Sequence, residues 1–135
     1  MPDVTAQRAA LAALCEAVPD LQVYPAAPHG TLPKEFVLIG MPTWRPPTEA
    51  LCMDSVEWGV MVCVARTGTN DTITALSLEG LWPLVLTALD QAITTDSTLG
   101  GLCSHSFLKD AEFSTVTIQG ADYPAQIITL TMQGA

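Results

Sequence analysis

Positive charge is scarce in this sequence: five Lys and Arg stand against 14 Asp and Glu in 135 residues, a net charge of −9. Binding to a phosphate backbone depends on clustered Lys and Arg, so a general nucleic-acid binder is excluded. Charge of either sign is thin as well. Only 14% of residues are charged, where about a quarter is usual in a soluble domain. No window holds the run of about 18 apolar residues that a membrane-spanning helix needs. The start of the chain, Met1-Pro2-Asp3-Val4-Thr5-Ala6-Gln7-Arg8, lacks the basic opening of a secretory signal. We therefore expect a chain made in the cytoplasm, with no membrane partner.

Chemical motifs are missing too. There is no C-x-x-C pair among Cys15, Cys52, Cys63 and Cys103, so these read as buried, reduced thiols acting as small hydrophobes. Cys103 and His105 would share one face of a strand, but His29 is the other histidine, and no second ligand pair has metal spacing. Neither a G-x-S-x-G elbow nor a phosphate-binding G-x-x-x-x-G-K-[ST] loop occurs. Ser104 and His105 are adjacent and point to opposite faces of a strand, which separates a would-be nucleophile from its base. Pairs such as Asp54 with Glu57, or Asp110 with Glu112, read as a solvated face. The expectation is a protein that is not an enzyme and holds no cofactor or metal.

What the sequence does have is apolar character, 49% of residues with a mean hydropathy of +0.34. In a single 135-residue domain with so little charge, part of that surface is expected to be covered by other chains. An Ala/Leu-rich stretch over residues 4–18 has helical spacing through Val4, Leu11, Leu14, Cys15 and Val18, with Asp3 as N-cap and Pro19 as terminator. Strands are expected at 21–24 and 35–40, separated by a proline-rich loop over 25–34. The segment 41–48 carries three prolines around Trp44 and Arg45 and reads as a long excursion from the domain.

Residues 52–66 form the longest strand candidate, with Val56, Trp58, Val60, Val62 and Val64 on one face and Glu57, Met61 and Cys63 on the other. A turn at 67–71, with Asn70 or Asp71 as N-cap, leads to a helix of about 22 residues that Pro83 kinks or splits. Its expected core face is Ile73, Leu76, Gly80, Leu81, Leu84, Val85, Ala88, Leu89, Ala92 and Ile93. Strands at 102–108, 112–119 and 125–132 follow, the last two forming a hairpin across a turn at 120–122. This is an α+β fold: one mainly antiparallel sheet, one long helix packed across a face and a short N-terminal helix.

Two features point to partners. Trp and Arg are enriched at interface hot spots and prolines lower the entropy cost of holding a loop, so Trp44 and Arg45 form a candidate interface. The alternative is that Trp44 folds back as a lid on its own core. The second feature is the acidic excess, for which Asp54, Glu57, Asp110, Glu112 and Asp122 are candidate members of a DNA-repelling face; plain solubility is the alternative.

The element order also carries a resemblance. The opening helix with Ala9-Ala10-Leu11-Ala12-Ala13-Leu14 leads to a short strand and proline loop. A strand ending in Phe36-Val37-Leu38-Ile39-Gly40 follows, then a long strand, one long helix and a closing strand pair at 113–119 and 125–132. Over nearly the whole chain this resembles the tail terminator and tail-completion proteins of long-tailed bacteriophages, and it is similar to neck proteins of actinobacterial phages. The resemblance implies a homo-hexameric ring in the virion, assembled in the host cytoplasm, that caps the tail tube and joins the tail to the head-side connector or stopper. DNA would pass through it without specific binding. The family has no catalytic motif to transfer residue by residue. A head–tail adaptor or stopper of the neck is the alternative within the virion, although adaptors tend to be more helical and stoppers to be small barrels. A non-viral protein-binding module is the alternative outside it.

Overall fold

The computed structural model describes residues 2–26, 28, 30–49, 52–66 and 71–134. Among these the chain runs α1 (Val4–Cys15), β1 (Gln22–Tyr24), β2 (Glu35–Ile39), β3 (Thr43–Arg45), β4 (Ser55–Val64), α2 (Asp71–Thr95), β5 (His105–Ile118) and β6 (Ala121–Gln133). The strands form one six-stranded sheet in the order β1-β2-β4-β6-β5, with β3 pairing β4 beyond the end of β2. The β1–β2 pair is parallel and the other pairs are antiparallel. The α+β architecture read from the sequence is the one observed.

Strand alternation decides which residues meet the helices. On β4, Val56, Trp58, Val60 and Val62 point one way and are fully buried beneath α1 and α2, joined by Ile128, Leu130 and Met132 from β6. A smaller core lies on the opposite face, where Phe36, Leu38, Cys63, Ile118 and Ala125 are covered by Leu32 and by Tyr24 and Tyr123. Both tyrosines meet Phe36 edge-to-face, at 5.8 and 5.3 Å between ring centroids. The tip of the β5–β6 hairpin is held to the loop over residues 25–34, because Gln119 Nε2 donates to the Pro28 carbonyl at 2.7 Å.

α1 begins where expected, with the Asp3 carboxylate accepting from Ala6 N at 3.0 Å, but it ends at Cys15 rather than at 18. Several expectations need correction. The strands read at 102–108 and 112–119 are one strand, β5, continuous through a bulge at Lys109 between Leu108 and Asp110. The extra residue shifts the side-chain parity, so Leu108 and Ala111 both face α2 despite their odd spacing. The hairpin turn is Gln119-Gly120, with positive φ at both positions (54° and 80°), as a type I′ turn demands; Ala121 and Asp122 already lie in β6. The segment 41–48 is not a free excursion, because β3 within it is hydrogen-bonded to β4.

α2 is a single 25-residue helix with Pro83 inside it. Its buried stripe is Thr74, Leu78, Leu81, Val85 and Leu89. Leu76 and Leu84, expected in the core, are 61% and 53% exposed, whereas Leu78, not expected there, is buried. The turn at 67–70, including the Asn70 cap, lies outside the described residues. Asp71 is the first helical residue rather than a cap.

Candidate functional site

Trp44 and Arg45 stand in β3, a three-residue strand held at the sheet margin by its register with Val56 and Ser55. Trp44 is 46% exposed, belongs to neither core, and donates from Nε1 to Asp54 Oδ2 at 2.8 Å. It is therefore not a lid on the core of its own chain. Arg45 Nη2 lies 3.9 Å from Glu57 Oε2. Met41, whose Sδ lies 3.7 Å from Arg8 Nη2, is 84% exposed. Trp44 and Arg45, neighbours in β3, turn to opposite faces of the sheet, so each is exposed separately at this margin.

The five candidate acidic residues separate into three environments. Glu57, Asp110 and Glu112 share the face of the sheet turned away from the helices, since Glu57 pairs through Thr131, Asp110 is opposite Thr129 and Glu112 is opposite Ile127. Asp54 is instead engaged by the Trp44 indole. Asp122 sits at the hairpin tip, accepting from Thr117 Oγ1 at 2.6 Å on the other side of the sheet. Sequence reasoning missed a feature of the first group. Lys109 Nζ lies 3.3 Å from Glu57 Oε2, and Arg45 approaches the same oxygen. Glu57 is thus locally compensated, and the carboxylates of Asp110 and Glu112 are the exposed ones on that face. Arg45 and Lys109 against Glu57, Asp110 and Glu112 leave a net −1 there, so most of the −9 lies elsewhere on the molecule.

No reaction centre assembles among the described residues. His105 opens β5, but Cys103 precedes that strand and turns inward, its Sγ 3.6 Å from the Thr98 carbonyl, so the two do not share a strand face. Ser104 Oγ donates to the Gly134 carbonyl at 3.2 Å rather than toward His105. His29 lies outside the described residues. No group of three or more His, Cys, Asp or Glu among the described residues is placed to hold a metal ion. The loop after α2 is organised by Asp96, whose carboxyl is held below its ordinary pKa by the Thr98 hydroxyl and by the backbone N–H groups of Gly100 and Thr98. That carboxylate serves as a turn acceptor, bonding at 2.6–3.0 Å. No described helix is long and apolar enough to cross a membrane.

Three of the four thiols, Cys15, Cys63 and Cys103, are buried as expected; Cys52 is exposed and departs from that expectation. Burial pushes Cys15, with Glu16 beside it, and Cys63 up to about 12 from an ordinary 9.0. On brief exposure to a maleimide at pH 7–8, Cys52 is expected to label while Cys15 and Cys63 stay protected until the chain unfolds; rapid labelling of Cys63 in the native state counts against its packing. The linkage has a definite sign. Between pH 9 and 12 the unfolded chain ionises these thiols and the native chain does not, so stability should fall across that window. Replacing both by Ser or Ala should flatten that part of the pH profile.

No family model matches the chain, and no curated protein matches it significantly. The functional reading therefore rests on its surfaces and on the order of its elements.

Proposed function

We propose that this chain is a ring-forming structural protein of a long-tailed phage virion, a tail terminator whose six copies cap the tail tube and join it to the head-side connector. The observation that carries this reading is the one-sided sheet. Among the described residues both helices pack on one face, and on the other the stretch of β4, β6 and β5 carrying Glu57, Thr129, Asp110 and Glu112 has no covering layer of helices. Such a face suits the wall of a passage. The exposed Asp110 and Glu112 carboxylates would repel DNA phosphates, while Arg45 and Lys109 on the same face are drawn to Glu57 instead of being left to hold the DNA. Among the described residues the 14-residue β5 is paired on one side only and so offers a lateral surface for a neighbouring copy, while the exposed Trp44 at the opposite margin is free to meet a neighbour or the tail tube.

Electron microscopy of the chain alone and on phage tail tubes tests the reading. Rings of six-fold symmetry, roughly 86 kDa for six copies of 14.3 kDa, are expected. Any other symmetry overturns it. Trp44→Ala is expected to weaken incorporation into tails by about 2 kcal/mol while leaving the melting temperature of the isolated chain unchanged, because the indole adds nothing to either core. Loss of thermal stability without loss of incorporation would assign Trp44 a purely internal role.

A further inference from the structure

α2 has two unlike apolar flanks. On one, Leu76, Gly80 and Leu84 stand opposite Val18 and Pro19 and enclose a hollow of about 310 Å3, which continues along the helix past Ala88. Gly80 forms its open floor: a Cβ built there meets nothing within 4 Å. Leu76 and Leu84 are more than half exposed, and Asp20 and Glu35 stand at the rim. On the other flank, Phe113 projects from β5 beside Ala75 and Trp82, 61% exposed, with Arg66 in the adjoining hollow and Glu79 next to Trp82. One flank is a hollow with an acidic rim, and the other bears an aromatic projection with a guanidinium on one side of it and a carboxylate on the other.

We propose that copies of this chain associate head to tail through these flanks, Phe113 of one copy seating over Gly80 between Leu76 and Leu84 of the next. The occupant is a second copy because shape and charge match within the same chain. Arg66 travels with the projecting ring on one side and Glu79 on the other, and Asp20 and Glu35 border the hollow that receives it, so the seating that fits turns the Arg66 side of the ring toward them. The two patches differ and lie on opposite sides of one helix, so the contact is heterologous and repeats from copy to copy instead of closing as a two-fold dimer. It leaves the helix-free face of the sheet uncovered. The inference rests on the ring reading for its closure at six, and it assigns the lateral contact that reading needs.

The test uses the full chain in a Cys52→Ser background, which removes the exposed native thiol. The double variant Leu84→Cys/Phe113→Cys, treated at high concentration with a short bis-maleimide, is expected to give a ladder of covalent multimers, and each single variant none. Absence of a ladder from the double variant overturns the contact. So does a dimer from either single variant, which would mean that one patch meets its own copy. Gly80→Leu supplies a second readout. It replaces a helix glycine and fills the hollow, so the isolated chain should melt higher while self-association measured by sedimentation weakens at least about tenfold; unchanged association overturns the proposal. Six-fold rings that form without the ladder and tolerate Gly80→Leu refute this contact and leave the terminator reading standing. A ladder from particles lacking six-fold rings supports the contact and removes the terminator reading.

Discussion

Trp58→Ala is expected to lower the stability of the isolated chain by about 3–5 kcal/mol, a large part of the roughly 5–15 kcal/mol available to a domain of this size. Trp58 is the largest fully buried side chain and lies at the centre of β4, the strand that joins β2 and β3 to β6. Its indole is held from two sides. Nε1 donates to Gln7 Oε1 at 2.9 Å, and the Arg8 guanidinium carbon lies 5.0 Å from the ring centroid. Arg8 also donates to the carbonyls of Pro25 and Ile39, so the ring lies beneath a contact that ties α1 to the edge of the sheet. Alanine would leave a cavity under α1 and remove both the Gln7 hydrogen bond and the Arg8 contact with the ring. A urea melt of the purified variant checks the magnitude.

A double-mutant cycle then separates polar from packing contributions. Gln7 is fully buried, and its Nε2 has no hydrogen-bond partner among the described residues. Trp58→Phe strands Gln7 Oε1 as well, at an expected cost of about 1–3 kcal/mol beyond the loss of volume. Gln7→Leu alone should cost about 1 kcal/mol or less, because it removes one orphaned donor while creating another. The double variant should be less destabilised than the sum of the two singles. Strict additivity would show that the 2.9 Å bond contributes nothing specific.

Gln7 also illustrates what the sequence could and could not reveal. It occupies the same helical stripe as Leu11 and Cys15, but a search for apolar periodicity passes over a polar residue whose partner is 51 positions away. Strand β4 was legible because one face of it is uniformly Val and Trp. The buried stripe of α2 was not, since both Leu78 with Leu81 and Leu76 with Leu84 make apolar rows, and only packing against β4 and β6 selects one. β3 was concealed by the prolines around it, and the bulge at Lys109 placed charges where a continuous strand would alternate. The candidate interface residues were picked by type. That Glu57 would be neutralised by Arg45 and Lys109 depends on strand neighbours distant in sequence, which composition does not encode.

Pro83→Ala is expected to act in the opposite direction, raising stability by about 2–3 kcal/mol, because proline in a helix interior is about 3 kcal/mol less favourable than alanine. Position 83 lies near the middle of the 25-residue α2. Proline offers no N–H to the Glu79 carbonyl, and its ring crowds that oxygen. The Thr87 hydroxyl donates to the Pro83 carbonyl at 2.8 Å, a local side-chain bond of the kind that accompanies bent helices. Alanine restores the missing backbone bond and favours a straight path. A gain near zero in a thermal melt would mean that α2 needs its present path to seat Leu81, Val85 and Leu89 on the sheet, the lost packing offsetting the gained bond. The position has a second consequence, since Trp82 and Leu84 flank it and belong to the two sides of the proposed subunit contact. A straighter α2 would move Leu84 relative to Gly80 and Val18, altering the hollow that receives Phe113. The expected signature of Pro83→Ala is therefore a more stable chain that assembles less well, a stability–function exchange at a single residue. If the variant is stabilised and assembles normally, the helix path does not depend on the proline, and Pro83 is merely tolerated there.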